Sequence, residues 1–148
     1  MKLSLKNAAQ PELFTFSFPA RIYFEDTDAG GVVYHAQYLK FLERARTEWL
    51  RHLGFTHGEL ERKHKVRFVV SDVTLSFLKP AKLDDTIAIN VNIETLGRVR
   101  AVFLQEIRRG EEVLLRAQVT IACLASEGMK PVEIPSEVKR KMEAAQNT

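Results

Sequence analysis

Between His35 and Leu53 the apolar residues Tyr38, Phe41, Leu42, Ala45, Trp49 and Leu53 recur at intervals of three and four. Lys40, Glu43, Arg44, Arg46 and Arg51 take the opposite face. This spacing predicts an amphipathic helix of about five turns with one apolar stripe. Gly54 is placed to stop it, and THGELERKH at 56–64 reads as a short second helix, with Thr56 capping and Glu59 three residues on. A stripe of this kind must be buried, and most of the remaining chain offers strands to bury it against. Phe14, Phe16 and Phe18 alternate before Pro19, and Val73, Leu75 and Phe77 alternate before Pro80. Ile87 to Ile93, Val99 to Ile107 and Val113 to Cys123 follow, separated by Leu96-Gly97-Arg98 and Arg109-Gly110-Glu111. Strands joined by short turns run antiparallel, and one helix cannot supply the crossovers of a doubly wound parallel sheet. The fold class is therefore α+β, with a curved antiparallel sheet wrapped around one long central helix. A sheet this small leaves an edge uncovered, which predicts a homodimer or higher oligomer.

The segment just ahead of the helix, EDTDAGG at 25–31, sets acids and two glycines before a Tyr-His pair. Negative charge is favoured at a helix N-terminus, and glycines let backbone N–H groups approach a ligand. The pattern fits either a capped helix or a site.

Bulk properties narrow the function classes. The chain has 148 residues, one domain's worth, and is 45% hydrophobic and 28% charged, as an ordinary globular protein is. A net charge of +3, with no Lys/Arg run interleaved with aromatics, suits an anionic small ligand or an acidic protein partner and argues against nucleic acid. Cys123 is the only cysteine, so no intrachain disulfide can form; it lies in an apolar alternation and reads as a small buried hydrophobe. MKLSLKNAAQPELF has no signal-peptide core, and no apolar run approaches the roughly 18 residues of a membrane span, so no integral membrane segment is expected and the expected location is cytoplasmic. Residues 1–12 read as a flexible tail, 13–135 as the domain and 136–148 as a short terminal helix and tail. His35, His52, His57 and His64 are scattered and far from Cys123, which argues against a metal site. No G-x-S-x-G elbow is present.

YFEDTDAGGVVYHAQYLKFLERARTEWLRHLG at 23–54 closely resembles the acyl-CoA thioesterases of the 4-hydroxybenzoyl-CoA thioesterase family, and within it the Tol-Pal-associated (YbgC-type) branch. FVV at 68–70 and PAKLDD at 80–85 are similar to that branch as well. The specific element is D-x-D-x-x-G-V-V-Y-H. The resemblance implies a hotdog fold, a homodimer assembling to a homotetramer, and hydrolysis of the thioester bond of short- to medium-chain or longer acyl-CoA. It puts the catalytic carboxylate on Asp28 and the carbonyl-polarising backbone N–H on His35, with the branch's Tyr-His pair intact as Tyr34-His35.

Thioester hydrolysis needs an activated attacking group, a place for charge on the carbonyl oxygen and a grip on the thiol carrier. Asp28 fits the first as general base or as nucleophile, and free N–H groups at the helix start fit the second. Gly30 and Gly31 keep the approach open, and Tyr34 suits a pocket wall. The His35 side chain is a second candidate group, for contact or acid–base work. Asp26 fits an Asx-type loop bond better than a direct role. Arg98 and Arg100, with Lys79 and Lys82 as others, are candidates for the coenzyme A phosphates. Val69 and Val70 are candidates to line an acyl tunnel between subunits. No metal or cofactor is required. Two alternatives stay open: a hotdog hydratase or dehydratase working through His35 and Glu43, and a non-catalytic acyl-CoA or acyl carrier protein binding module. An acidic acyl carrier protein is a candidate partner on either reading.

Overall fold

The computed structural model describes Phe14 and residues 16–146. The expected tail at 1–12 lies outside the described residues. Strand β1 (Phe16–Arg21) leads through a 3-10 turn (Phe24–Asp26) to helix α1 (His35–His52). Helix α2 (His57–Glu59) continues as a π-turn (Leu60–His64), and β2 (Val66–Phe77), β3 (Thr86–Leu96), β4 (Arg100–Arg109), β5 (Glu112–Ala125) and α3 (Ser136–Gln146) complete the chain. The five strands form one antiparallel sheet in the order β1-β3-β4-β5-β2. The result is the expected α+β hotdog arrangement.

The helical period is realised over 18 residues, with Tyr38, Phe41, Leu42, Ala45, Trp49 and Leu50 buried. They pack on the inward residues of the sheet, among them Ile89, Val91, Phe103, Ile107 and Val119. Trp49 meets Phe103 edge-on, with ring centroids 5.2 Å apart. Burying each such side chain contributes about 1.5–3 kcal/mol. At the far end of α1, Gly54 takes φ +103°. Its N–H donates to the Arg51 carbonyl at 2.9 Å and the Phe55 N–H to the Leu50 carbonyl at 3.0 Å, a Schellman stop. Thr56 caps α2, accepting the Glu59 N–H at 3.1 Å while its hydroxyl donates to the Glu59 carboxylate.

The strand reading needs one correction. β2 is not joined to β3 by a hairpin but pairs with β5 at the opposite edge of the sheet. The connection, residues 78–85, carries the chain back towards the β1 side. β2 also begins earlier than its alternation suggests. A bulge between Val70 and Asp72 breaks the two-residue period, so Phe68 and Val70 do not fall in phase with Val73, Leu75 and Phe77. Among the described residues β2 pairs with one neighbour only, and it exposes Val70, Val73 and Phe77.

Candidate active site

The approach to α1 is a tight turn rather than a cap. The Asp28 N–H donates to the Val32 carbonyl at 2.8 Å, and the Gly31 N–H to the Asp28 carbonyl at 3.0 Å. Gly31 sits at φ +82°, which favours glycine. The Gly30 N–H reaches the Asp28 carboxylate at 2.8 Å, and a Cβ on Gly30 would stand 3.3 Å from that same oxygen. Both glycines therefore have a local reason besides ligand access. Asp28 is exposed, with Oδ1 held by Gly30.

The acids do not cap the helix. α1 has no acidic residue in its first turn, and Tyr34 at the cap position makes no side-chain cap bond. Helix geometry leaves the first N–H groups, at His35 and Ala36, without intrahelical acceptors. The turn thus holds an exposed carboxylate seven residues ahead of a positively polarised helix end whose cap residue makes no side-chain cap bond. The His35 ring stacks on Phe77 of β2 at 4.5 Å. Tyr34 is largely exposed.

Asp26 has a different task. It is buried, and its two carboxylate oxygens accept the Tyr23 N–H and the Gln37 side-chain amide, each at 2.8 Å. It ties the start of the loop to the first turn of α1. The acid pattern announced a loop-orienting role for it; Gln37, its partner on the helix, carried no signal that the sequence reading used.

Behind the helix start, Ala81 is fully buried. Its carbonyl accepts the Val33 N–H at 2.9 Å, and its N–H donates to the Tyr38 hydroxyl at 3.0 Å. Desolvation pushes the Tyr38 phenol above its ordinary range, against the lowering effect of that bond. Nearby, Arg109 binds Asp85 at 2.6 Å and Glu112 at 3.0 Å. Partial burial would raise the Asp85 carboxyl. The Arg109 bond, the Lys82 N–H and the charges of both residues outweigh that and hold it below the usual carboxylate range.

The other predicted residues lie elsewhere. Val69 and Val70 line a cavity of about 310 Å³ between the second half of α1 and the sheet, walled by Trp49, Leu60, Phe103 and Met142. Asp28, Gly30, Gly31, Tyr34 and His35 do not line it. Within one protomer the turn and the cavity are thus separate. Arg98, in the β3–β4 turn, is paired with Glu133 at 3.2 Å, while Arg100 is exposed at the start of β4. Lys79 pairs with Glu112 at 2.9 Å. Glu43 is eight residues along α1 from His35, roughly 12 Å by helical rise. It accepts instead from Thr47 at 3.0 Å, and Thr47 also meets His57 at 3.1 Å on the cavity rim. Neither contact is among the expectations drawn from the sequence, although the i, i+4 spacing of Glu43 and Thr47 is visible there. Burial lowers Arg46, beside it, to about 10. Cys123 is buried in the same wall, its thiol pushed up to about 11 by desolvation. Among the described residues no cluster of three or more His, Cys, Asp or Glu could hold a metal, and no helix is long and apolar enough to cross a membrane.

Comparison with known proteins places the chain in a family. The family model described as the thioesterase superfamily matches residues 30–116. The chain is 46% identical over 124 residues to the acyl-CoA thioesterase YbgC of Haemophilus influenzae, covering 84% of this chain and 91% of that protein. It is 44% identical over 124 residues to the acyl-CoA thioester hydrolase YbgC of Escherichia coli O6:H1, covering 83% and 92%. A probable thioesterase from Bartonella henselae superposes with a TM-score of 0.78 at 40% identity, over 81% of this chain and 98% of that one. The family match covers more than half of the chain and the relatives are covered almost to their full length, so this chain belongs to the thioesterase superfamily.

Proposed function

We propose that the chain hydrolyses the thioester bond of acyl-CoA to the free acid and coenzyme A, with Asp28 as the reactive carboxylate. The observation that supports the reading is the turn itself: Asp28 is exposed, with its carboxylate on the Gly30 N–H, ahead of a helix start that its own cap residue, Tyr34, leaves without a side-chain bond. The thioester carbonyl oxygen sits over the His35 N–H, where the helix dipole offsets the charge that develops on it. Asp28 either takes a proton from the attacking water or attacks the carbonyl to give a mixed anhydride that water then opens. Both routes release the thiol and need no metal or cofactor.

The pocket is completed by a second copy. The free edge of β2 pairs antiparallel with its two-fold mate, which sets the Phe77 end of one strand beside the Val66–Val70 end of the other. His35, stacked on Phe77, then faces the partner's cavity, so Val69 and Val70 line the acyl tunnel across the interface and Tyr34 walls its mouth. Such dimers pair into a tetramer in the cytoplasm. Arg100 is the better candidate for the coenzyme A phosphates, because Arg98 already holds Glu133. An acidic acyl carrier protein suits the net charge of +3 as an alternative donor of the acyl group.

The test is free-thiol release from acyl-CoA substrates of graded chain length, for wild type and Asp28→Asn, with folding checked by circular dichroism. A loss of about 10²-fold or more in kcat/KM in a folded variant is expected. Turnover unchanged in Asp28→Asn, or no wild-type turnover on any thioester, overturns the assignment.

A further inference from the structure

Both ends of the loop that carries Asp28 are tied to one short segment, residues 80–85. On the way in, the Ile22 N–H donates to the Asp85 carbonyl at 2.8 Å, and the Ile22 carbonyl accepts the Asp84 N–H at 3.0 Å. On the way out, Val32 bridges to Lys82, and the Val33 N–H donates to the Ala81 carbonyl at 2.9 Å. The first turn of α1 joins the same segment through Tyr38 and the Ala81 N–H at 3.0 Å. The turn, the helix start and their separation are therefore referenced to residues 80–85.

That segment lies in the connection that crosses from β2 to β3; Arg21 donates to its Asp84 carbonyl at 3.2 Å, and a second arginine spans its two ends. Arg109, at the end of β4, donates to the Pro80 carbonyl at 3.2 Å and the Asp85 carboxylate at 2.6 Å. Its Nε donates to Glu112 at 3.1 Å, and Glu112 also binds Lys79. The same Asp85 oxygen accepts the Lys82 N–H at 2.8 Å. Arg109 Nη1 alone thus joins both ends of the segment while Nε and Nη2 grip Glu112, a combination that a lysine ammonium cannot reproduce.

Resting on the thioester-hydrolase reading above, we propose that Arg109 is a positioning residue: through Asp85 and Pro80 it sets the segment that aligns Asp28 with the N–H groups at His35. Arg109 touches no reacting atom in this arrangement. It is partly exposed, and ion pairs of that kind contribute little to global stability. Alignment is more sensitive, since a displacement of about 1 Å can cost about 10²-fold in rate.

The experiment compares kcat, KM, the urea midpoint and amide hydrogen exchange in wild type, Arg109→Gln, Arg109→Lys, Asp85→Asn and the Arg109→Gln/Asp85→Asn double variant of the full chain. Arg109→Gln is expected to lower kcat about 10- to 10²-fold, with KM within about twofold and the urea midpoint unchanged. Asp85→Asn does the same, the double variant is no worse than either single one, and Arg109→Lys is intermediate. Amides of Gly31 and Val33 exchange faster in Arg109→Gln, while those of β4 and β5 do not. Wild-type kcat in Arg109→Gln, or a loss that only follows a lowered midpoint, overturns the proposal. Should Arg109→Gln fail to fold, Arg109→Lys and Asp85→Asn carry the same comparison. The exchange arm keeps the two readings apart: unchanged loop exchange overturns positioning whatever the activity, whereas wild-type inactivity with altered loop exchange overturns hydrolysis alone.

Discussion

Asp26 and Asp28 stand two residues apart and perform opposite kinds of work. Asp26 is buried with both oxygens occupied, by Tyr23 and Gln37. Asp28 is exposed, with Oδ1 held by a backbone N–H. Asp26→Asn turns an acceptor-only group into one with two donors facing donors. It is expected to lower unfolding free energy by about 1.5–3 kcal/mol, read by urea titration. On the proposed reaction, Asp28→Asn is expected to leave the midpoint in place and to lower thiol release. Equal stability of the two variants would show that Asp26 does not tie the loop. At this scale the sequence marked the acids as a group and put the catalytic expectation on Asp28. The division of labour depends on Gln37, which meets Asp26 only after α1 has formed.

Helix α1 was legible nearly to its ends, because a period of three and four residues cannot be satisfied by a strand. Its stop was legible too, through Gly54. A Cβ at Gly54 would meet nothing within 4 Å, so its constraint is the backbone at φ +103° and not space. Gly54→Ala is therefore expected to cost roughly 1–2 kcal/mol without altering turnover, since Gly54 lies at the end of α1 away from His35. Thermal unfolding together with a thiol-release assay checks both halves. β2 was less legible. Its bulge at Ser71 shifts the alternation from the phase of Phe68 and Val70 to that of Val73, Leu75 and Phe77, and a broken period hides the first half of the strand.

The order β1-β3-β4-β5-β2 leaves β2 with a free edge and three exposed apolar side chains, Val70, Val73 and Phe77. A long apolar edge of this kind invites pairing with another copy. Sedimentation of the wild type at micromolar concentration is expected to give a dimer or a dimer of dimers. Val73→Lys is expected to move it towards monomer and to lower thiol release with it. A monomeric wild type, or full activity in a monomeric variant, would overturn the shared pocket.

The chain's periodicities by themselves determined the class of fold: one stripe of helix, several alternating strands and short turns admit little besides an antiparallel sheet around a helix. The motif ahead of the helix likewise marked the candidate site, because acids and glycines next to a helix start are local chemistry. What only the tertiary structure decided is long-range. The pairing of β2 with β5, the reach of Arg109 to Pro80 and Asp85, and the separation of Val69 and Val70 from Asp28 join residues distant in the chain. Such contacts depend on how a curved sheet closes around its helix, and local spacing carries no information about that closure.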